Sequence, residues 1–364
     1  MPSIASGQIV AFYLFDVAET IDLAAVPPLV GGTAVAARLA PKTATPPYVQ
    51  YDKPPLTFDG EVVGAPPIEG FRTRVRVYDY GVISLSLTRP FSGPWSALVT
   101  AAQTLVENAD LEQRADAQIR AIADRLAPAL VGRRHDYLSE DYVVFSVNEL
   151  TPPQSAEALL GEHGAEIALM LRGERQALSP QEQDTVLRHR LSYLADDLVV
   201  ATWNAALVVD TAAGAPAMLE ILEFANSQLL EFRYYDRLLD AQLAAIYAAL
   251  QHPRWYHRWV GWRYGRAARQ LHSVFIDVNE LTDRTENALK FVGDVYAARL
   301  FALAADRLGL ERWKANVQDK LKTADDIYRF AVEQSSMSRG ELLELTVVLI
   351  LVLELALVFM GVMK

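Results

Sequence analysis

From the N-terminus to residue 212, short apolar runs take turns with stretches whose apolar positions recur every three to four residues. The first pattern predicts strands and the second helices. Residues 8–17 (QIVAFYLFDV) read as a strand rich in β-branched and aromatic side chains. Prolines crowd residues 41–68 and predict a loop or an edge hairpin. In 72–87 (RTRVRVYDYGVISLSL), Val75 and Val77 alternate with Arg74 and Arg76, the pattern of a strand with one wet face. Asp79-Tyr80-Gly81 marks a tight turn or a bulge, with strand resuming at 82–87. Residues 95–130 have helical periodicity through Leu98, Leu105, Ile119, Ile122 and Leu126, with a break into two helices at Glu107-Asn108-Ala109-Asp110. A strand at 141–147, helices at 156–171 and 182–194, and a strand pair or strand plus turn at 198–209 complete the series. The alternation predicts an α/β or α+β body.

The pattern changes after Pro216. Residues 217–251 form one long helix through Leu219, Leu222, Ala225, Leu229, Phe232 and Leu239, ended by Pro253. A second helical region spans 277–340, with an irregularity at Gly309 and a coiled-coil-like seam at Val317, Leu321, Ala324, Tyr328 and Ala331. Two long helices and a connector read as an antiparallel hairpin. Residues 345–363 (LTVVLILVLELALVFMGVM) are apolar except for Glu354, and a helix of that length covers roughly 28 Å, close to a bilayer's hydrocarbon thickness. This predicts a membrane anchor; the alternative is a buried helix or an oligomer core. The expected fold class is α+β: an α/β soluble domain at 1–212, a helical hairpin stalk at 213–340 and a transmembrane anchor at 341–364.

Within that anchor, Glu354 is expensive unless it faces a partner or is protonated, and Gly361 on the same face permits close helix approach. Glu344, Glu354 and Gly361 are therefore the candidate membrane-helix contacts, and a homo-oligomer is the expected assembly. The N-terminus carries Asp16, Glu19 and Asp22 and no basic segment, so it is not a secretory signal. A body on the cytoplasmic side of a single-pass anchor follows, as on a bacterial inner membrane, with the lipid bilayer as partner.

Charge and composition narrow the chemistry. A formal net charge of −11 argues against broad nucleic-acid binding, and the absence of cysteine removes disulfides, thiolate metal sites and cysteine nucleophiles. Phosphate-loop, dinucleotide-binding, zinc-protease and nucleophile-elbow motifs are missing. The six histidines are scattered. Glu162-His163 with Glu166 has a spacing used in metal bundles, but without a second such pair it reads as surface. His189, between two arginines, suits a solvated helix, and Asp196-Asp197 a turn or cap. The pentapeptide 147–151 recurs at 278–282, without a longer period to support a repeat. No cofactor, metal or small-molecule substrate is expected, nor an enzyme.

The local exception to the acidic balance is 252–269 (HPRWYHRWVGWRYGRAAR). Arg254, Trp255, Arg258, Trp259, Trp262, Arg263 and Arg266 could stack bases and neutralise phosphates, sit among lipid headgroups, or cap the hairpin by packing.

Some stretches resemble a known family. Leu343-Glu344-Leu345 followed ten residues later by Glu354, the Tyr78-Asp79-Tyr80-Gly81-Val82 strand, and 194–208 (LADDLVVATWNAALV) are similar to the domain of unknown function 155 family, which contains the required-for-meiotic-nuclear-division proteins and mitochondrial regulators of translation. The resemblance implies a membrane-anchored, oligomeric, non-catalytic protein associated with translation. The expected function is thus an interaction or scaffold protein that self-associates and tethers a partner at the membrane. The alternative is an RNA- or ribosome-binding module using 252–269.

Overall fold

Hydrogen bonding joins nine strands into one sheet in the computed structural model, which describes residues 2–31, 35–36, 54–61, 67–251, 274–283, 295–327 and the positions 329, 347, 348 and 350. In chain order the strands are β1 (Ser3–Asp16), β3 (Val35–Ala36), β4 (Leu56–Asp59), β5 (Arg72–Val77), β6 (Val82–Pro94), β8 (Leu138–Thr151), β9 (Arg190–Leu191), β10 (Leu198–Ala201) and β11 (Ala205–Val209). A separate ribbon pairs β2 (Thr20–Ile21) with β7 (Leu130–Val131). The order across the sheet is β3-β4-β5-β6-β1-β8-β11-β10-β9, and every pairing is antiparallel except β8 with β11. Of the proline-rich stretch, β4 is paired on one side with the edge strand β3 and on the other with β5, while much of 41–68 lies outside the described residues.

Strand β1 is central, and both its faces are covered, which is why 8–17 is apolar without strict alternation. Its odd residues Ile9, Ala11, Tyr13 and Phe15 join Ile83, Leu85, Val143, Phe145 and Leu207 in the main core. Helices α1 (Val26–Val30), α2 (Trp95–Leu105), α3 (Ala109–Arg125) and α4 (Ala156–Arg172) contribute Val26, Trp95, Leu98, Ile119, Ile122 and Ile167 to it. The break between α2 and α3 falls where the sequence predicts it: Glu107 adopts φ 58°, and Asn108 caps α3 by accepting from the Leu111 amide.

The β5–β6 turn also agrees with the sequence. Gly81 has φ 92°, and a Cβ there would sit 1.9 Å from the Ala18 carbonyl oxygen, so only glycine fits. Two expectations change. The helix expected at 182–194 is α5 (Pro180–Leu187), followed by β9, because Val199 and Val200 of β10 capture Leu191 and Arg190 as an edge strand. The wet face expected for β5 is wet only at its start: Arg72 and Arg74 are exposed, but Arg76 is 7% exposed. The repeated pentapeptide is strand at 147–151 and helix at 278–282, so it is no structural repeat.

The chain divides into two units, the first Met1–Tyr234 with Leu281–Trp313, the second Tyr235–Glu280 with Lys314–Lys364. In the first, α6 (Ala215–Gln251) begins directly after the sheet, and residues 221–232 are buried on every side. Helix α7 (Val295–Leu308) buries Tyr296, Leu300, Phe301 and Ala304, with Phe301 against Phe224 of α6 at 5.7 Å between ring centroids. Gly309, at φ 67°, forms the expected irregularity. In the second unit, residues 314–327 are helical, with Val317, Leu321 and Ala324 of the predicted seam buried. Lys320 bridges Asp236 and Asp240 of α6 at 2.8 and 2.7 Å. Tyr328 and Ala331, the rest of the seam, lie outside the described residues.

The predicted membrane anchor is corrected. No helix among the described residues is long and apolar enough to cross a membrane. The longest of them, α6, is interrupted by Glu220, Glu223, Glu231, Arg233 and Asp236, whereas a span needs about 20 mainly apolar residues. Of 341–364, only Val347, Val348 and Ile350 are described, and they are helical. Hydropathy alone carried the anchor, and the single-pass membrane location and cytoplasmic-side topology rested on it. The fold class is a mixed α/β protein with a large sheet.

Candidate functional site

The second face of the sheet carries the charge. By alternation it presents Phe12, Leu14 and Asp16 of β1, Ser84 and Ser86 of β6, Arg74 and Arg76 of β5, and Tyr142 and Ser146 of β8. Opposite lies a polar stripe on α6. Glu220, Glu223, Ser227, Glu231 and Tyr234 recur at three- and four-residue steps and so share one helix face.

The first meeting point is Arg76. Its Nη1 donates to Glu223 Oε2 at 2.5 Å, its Nη2 to Glu220 Oε1 at 2.8 Å, and its Nε to Thr57 Oγ1 at 3.3 Å. Ser86 Oγ approaches Glu223 Oε1 at 3.5 Å. Burial works against the Arg76 charge, but the pull of Glu223, Tyr78 and Glu220 more than reverses this and raises its pKa. Glu220 is pushed up, first by burial and then by Glu223, against the lowering pull of Arg76. One turn along α6, Tyr80 OH and Ser227 Oγ share a hydrogen bond of 2.7 Å, and Gln228 Nε2 donates to the same phenol at 3.2 Å.

The second meeting point is Arg134. Its guanidinium donates to the fully buried Asp16 carboxylate and to the Ala18 carbonyl, and lies 3.7 Å from the Tyr234 ring centroid, a cation–π contact. Burial outweighs Arg134 and pushes the Asp16 carboxyl up to about 7. A third cation, Arg233, pairs with Glu140. Ser84 Oγ and Ser146 Oγ are buried without a hydrogen-bond partner among the described residues.

The arrangement clamps a helix to a sheet through internal ion pairs. Among the described residues no group of three or more His, Asp or Glu side chains is placed to hold a metal. His163, expected at the surface, is instead buried: its Nδ1 meets Glu166 Oε2 at 2.8 Å and its ring packs against Trp95 at 5.7 Å. His189 lies beyond the end of α5, 3.8 Å from Asp306, and its pKa is lowered first by burial and then by Arg307. Asp197 closes a turn by accepting from the Tyr193 and Leu194 amides, as expected. The other predicted site residues, Arg254, Trp255, Arg258, Trp259, Trp262, Arg263, Arg266, Glu344, Glu354 and Gly361, lie outside the described residues. The stripe at 220–234 escaped sequence reading, although polar residues at helical steps in an otherwise apolar helix were its signal.

These features define a mixed α/β body whose large sheet is covered by an apolar helical layer on one face and a charged helix on the other. The chain belongs to the family described as the N-terminal domain of the uncharacterized protein MJ0711, whose model matches residues 6–216. A relative, the uncharacterized protein MJ0711 of Methanocaldococcus jannaschii, is 22% identical over 222 residues, covering 61% of this chain. The match spans 66% of the relative, just under two thirds of its length. No solved structure matches. These matches identify a domain of unknown function and show no link to the required-for-meiotic-nuclear-division proteins.

Proposed function

We propose that the protein is a non-catalytic interaction protein that associates with a second copy of itself through the apolar segment 345–363. The observation that carries this reading is the state of Val347, Val348 and Ile350, which are helical and 49%, 51% and 53% exposed. Contiguous apolar surface is stabilised by a partner that covers it, and a second copy brings the same self-complementary surface. The absence of chemistry is supported by the second face of the sheet, where Arg76, Arg134 and Arg233 are each engaged by carboxylates of the same unit.

Light scattering of the full chain over a concentration series tests it. The wild type is expected to be dimeric or larger, and Val347→Glu with Ile350→Glu to shift it to monomer. A wild type that is monomeric at every concentration, or an assembly unmoved by the double substitution, overturns the reading. A closer kinship with the required-for-meiotic-nuclear-division proteins belongs to the same proposal and rests on Tyr78–Val82 and on the step from Glu344 to Glu354. A partner in the translation machinery follows from it. The basic-aromatic composition of 252–269 supports RNA or the ribosome as that partner, and Arg258→Glu with Arg263→Glu and Arg266→Glu should abolish salt-dependent RNA binding.

A further inference from the structure

We propose that the seat of α6 on the sheet is a proton-linked latch, in which one proton taken up by Glu220, beside Glu223 and Arg76, tightens α6 against β5 and β6. Two carboxylates lie within hydrogen-bond reach of one guanidinium, at 2.8 and 2.5 Å. One positive charge cannot neutralise both, so the trio carries a net charge of about −1 when both acids are ionised. The side chains of Arg76, Glu223 and Glu220 are only 8%, 3% and 24% exposed, so solvent screens this excess poorly.

Among the described residues, the surroundings do not supply the missing charge at contact distance. From β4 comes Thr57, from β5 the exposed Arg74, from the turn after β5 the Tyr78 phenol, and from β6 Ser86. Arg74 lowers the Glu220 pKa but does not reverse the combined effect of burial and Glu223. The sign follows from linkage. A carboxylate raised in the folded state contributes stability that is present below its unfolded pKa and is lost as pH rises through the folded value. The latch is therefore closed in acid and loosens above the ordinary carboxylate range.

Hydrogen exchange of the full chain, followed by mass spectrometry at several pH values and corrected for intrinsic exchange, tests it. In the wild type, the opening constant of peptides from 215–228 and 72–77 should rise with pH, by at most about tenfold per pH unit. Glu220→Gln keeps an acceptor for Arg76 but cannot take up the proton, so its profile should rise less steeply than the wild type's. Parallel profiles in the two proteins overturn the latch. Asp16→Asn should leave the rise intact, which separates it from the other buried acid. Arg74→Gln changes an exposed residue; at low salt it should move the midpoint of the rise to higher pH, and an unmoved midpoint also overturns the proposal.

Discussion

On one face of the sheet, Ile9, Ala11, Tyr13 and Phe15 of β1 join helices α2, α3 and α4 in an apolar core. On the other, Asp16, Ser84, Ser86 and Arg76 share a surface with Glu220, Glu223, Ser227 and Tyr234 of α6. Both faces are buried, yet they are held differently. The apolar face depends on area removed from water and tolerates rearrangement within its volume. The charged face depends on specific pairs, each of which leaves an uncompensated ion if one partner goes. The first kind of contact secures the fold, and the second fixes where one helix sits on it.

The largest effects should come from breaking each face at its centre. Phe145→Ala on the apolar face is expected to cost about 3–5 kcal/mol in urea unfolding, nearly independent of pH. Arg76→Met is expected to cost roughly the same above neutrality, because it strands Glu220 and Glu223. Its cost should recede in acid as the Glu220 carboxyl protonates. Equal pH dependence in the two variants would erase the distinction between the faces. Replacing the trio together, Arg76→Met with Glu220→Leu and Glu223→Leu, should recover most of the loss, as paired buried charges often exchange for apolar groups at little net cost.

Asp16 gives a smaller and more directional test. Its carboxyl is raised to about 7 because burial outweighs the attraction of Arg134. Its stabilising contribution is thus present below the ordinary aspartate range and lost as pH rises through about 7. The stability of the wild type should fall relative to Asp16→Asn across that window, with a slope of at most about 1.4 kcal/mol per pH unit. A slope of the opposite sign would mean that the pairing with Arg134 dominates, and the charged face would then be tightest at neutral pH.

What the sequence disclosed follows the same division. Strands, the Gly81 turn and the break at Glu107-Asn108 are local, so a few neighbouring residues announce them. The burial of Arg76 was not legible, because its partners Glu223 and Glu220 lie 147 and 144 residues away and an Arg-Val-Arg-Val alternation looks the same whether its polar face meets water or a helix. His163 misled for the same reason: its partner Glu166 is close in sequence, but the Trp95 that covers it is not. The apolar run at 345–363 was the strongest hydropathy signal in the chain, and hydropathy alone does not distinguish a lipid-facing helix from one that packs against protein. The residues singled out there and in 252–269 for chemistry lie outside the described residues, while the buried stripe on α6 was passed over as helix.

The smallest expected effect tests whether polar groups at helix ends behave like those on the charged face. Asn108 accepts from the Leu111 amide at 3.0 Å and donates to the Thr104 carbonyl at 2.6 Å, tying the end of α2 to the start of α3. Both bonds are local, and Asn108 is uncharged and partly exposed, so water can replace what is lost. Asn108→Ala should therefore cost only about 1 kcal/mol, without pH dependence. The charged face differs because its partners come from distant segments and solvent is excluded. A cost at Asn108 approaching that of Arg76→Met would mean that the α2–α3 corner, rather than the ion pairs under α6, is where polar groups contribute most to holding the sheet unit together.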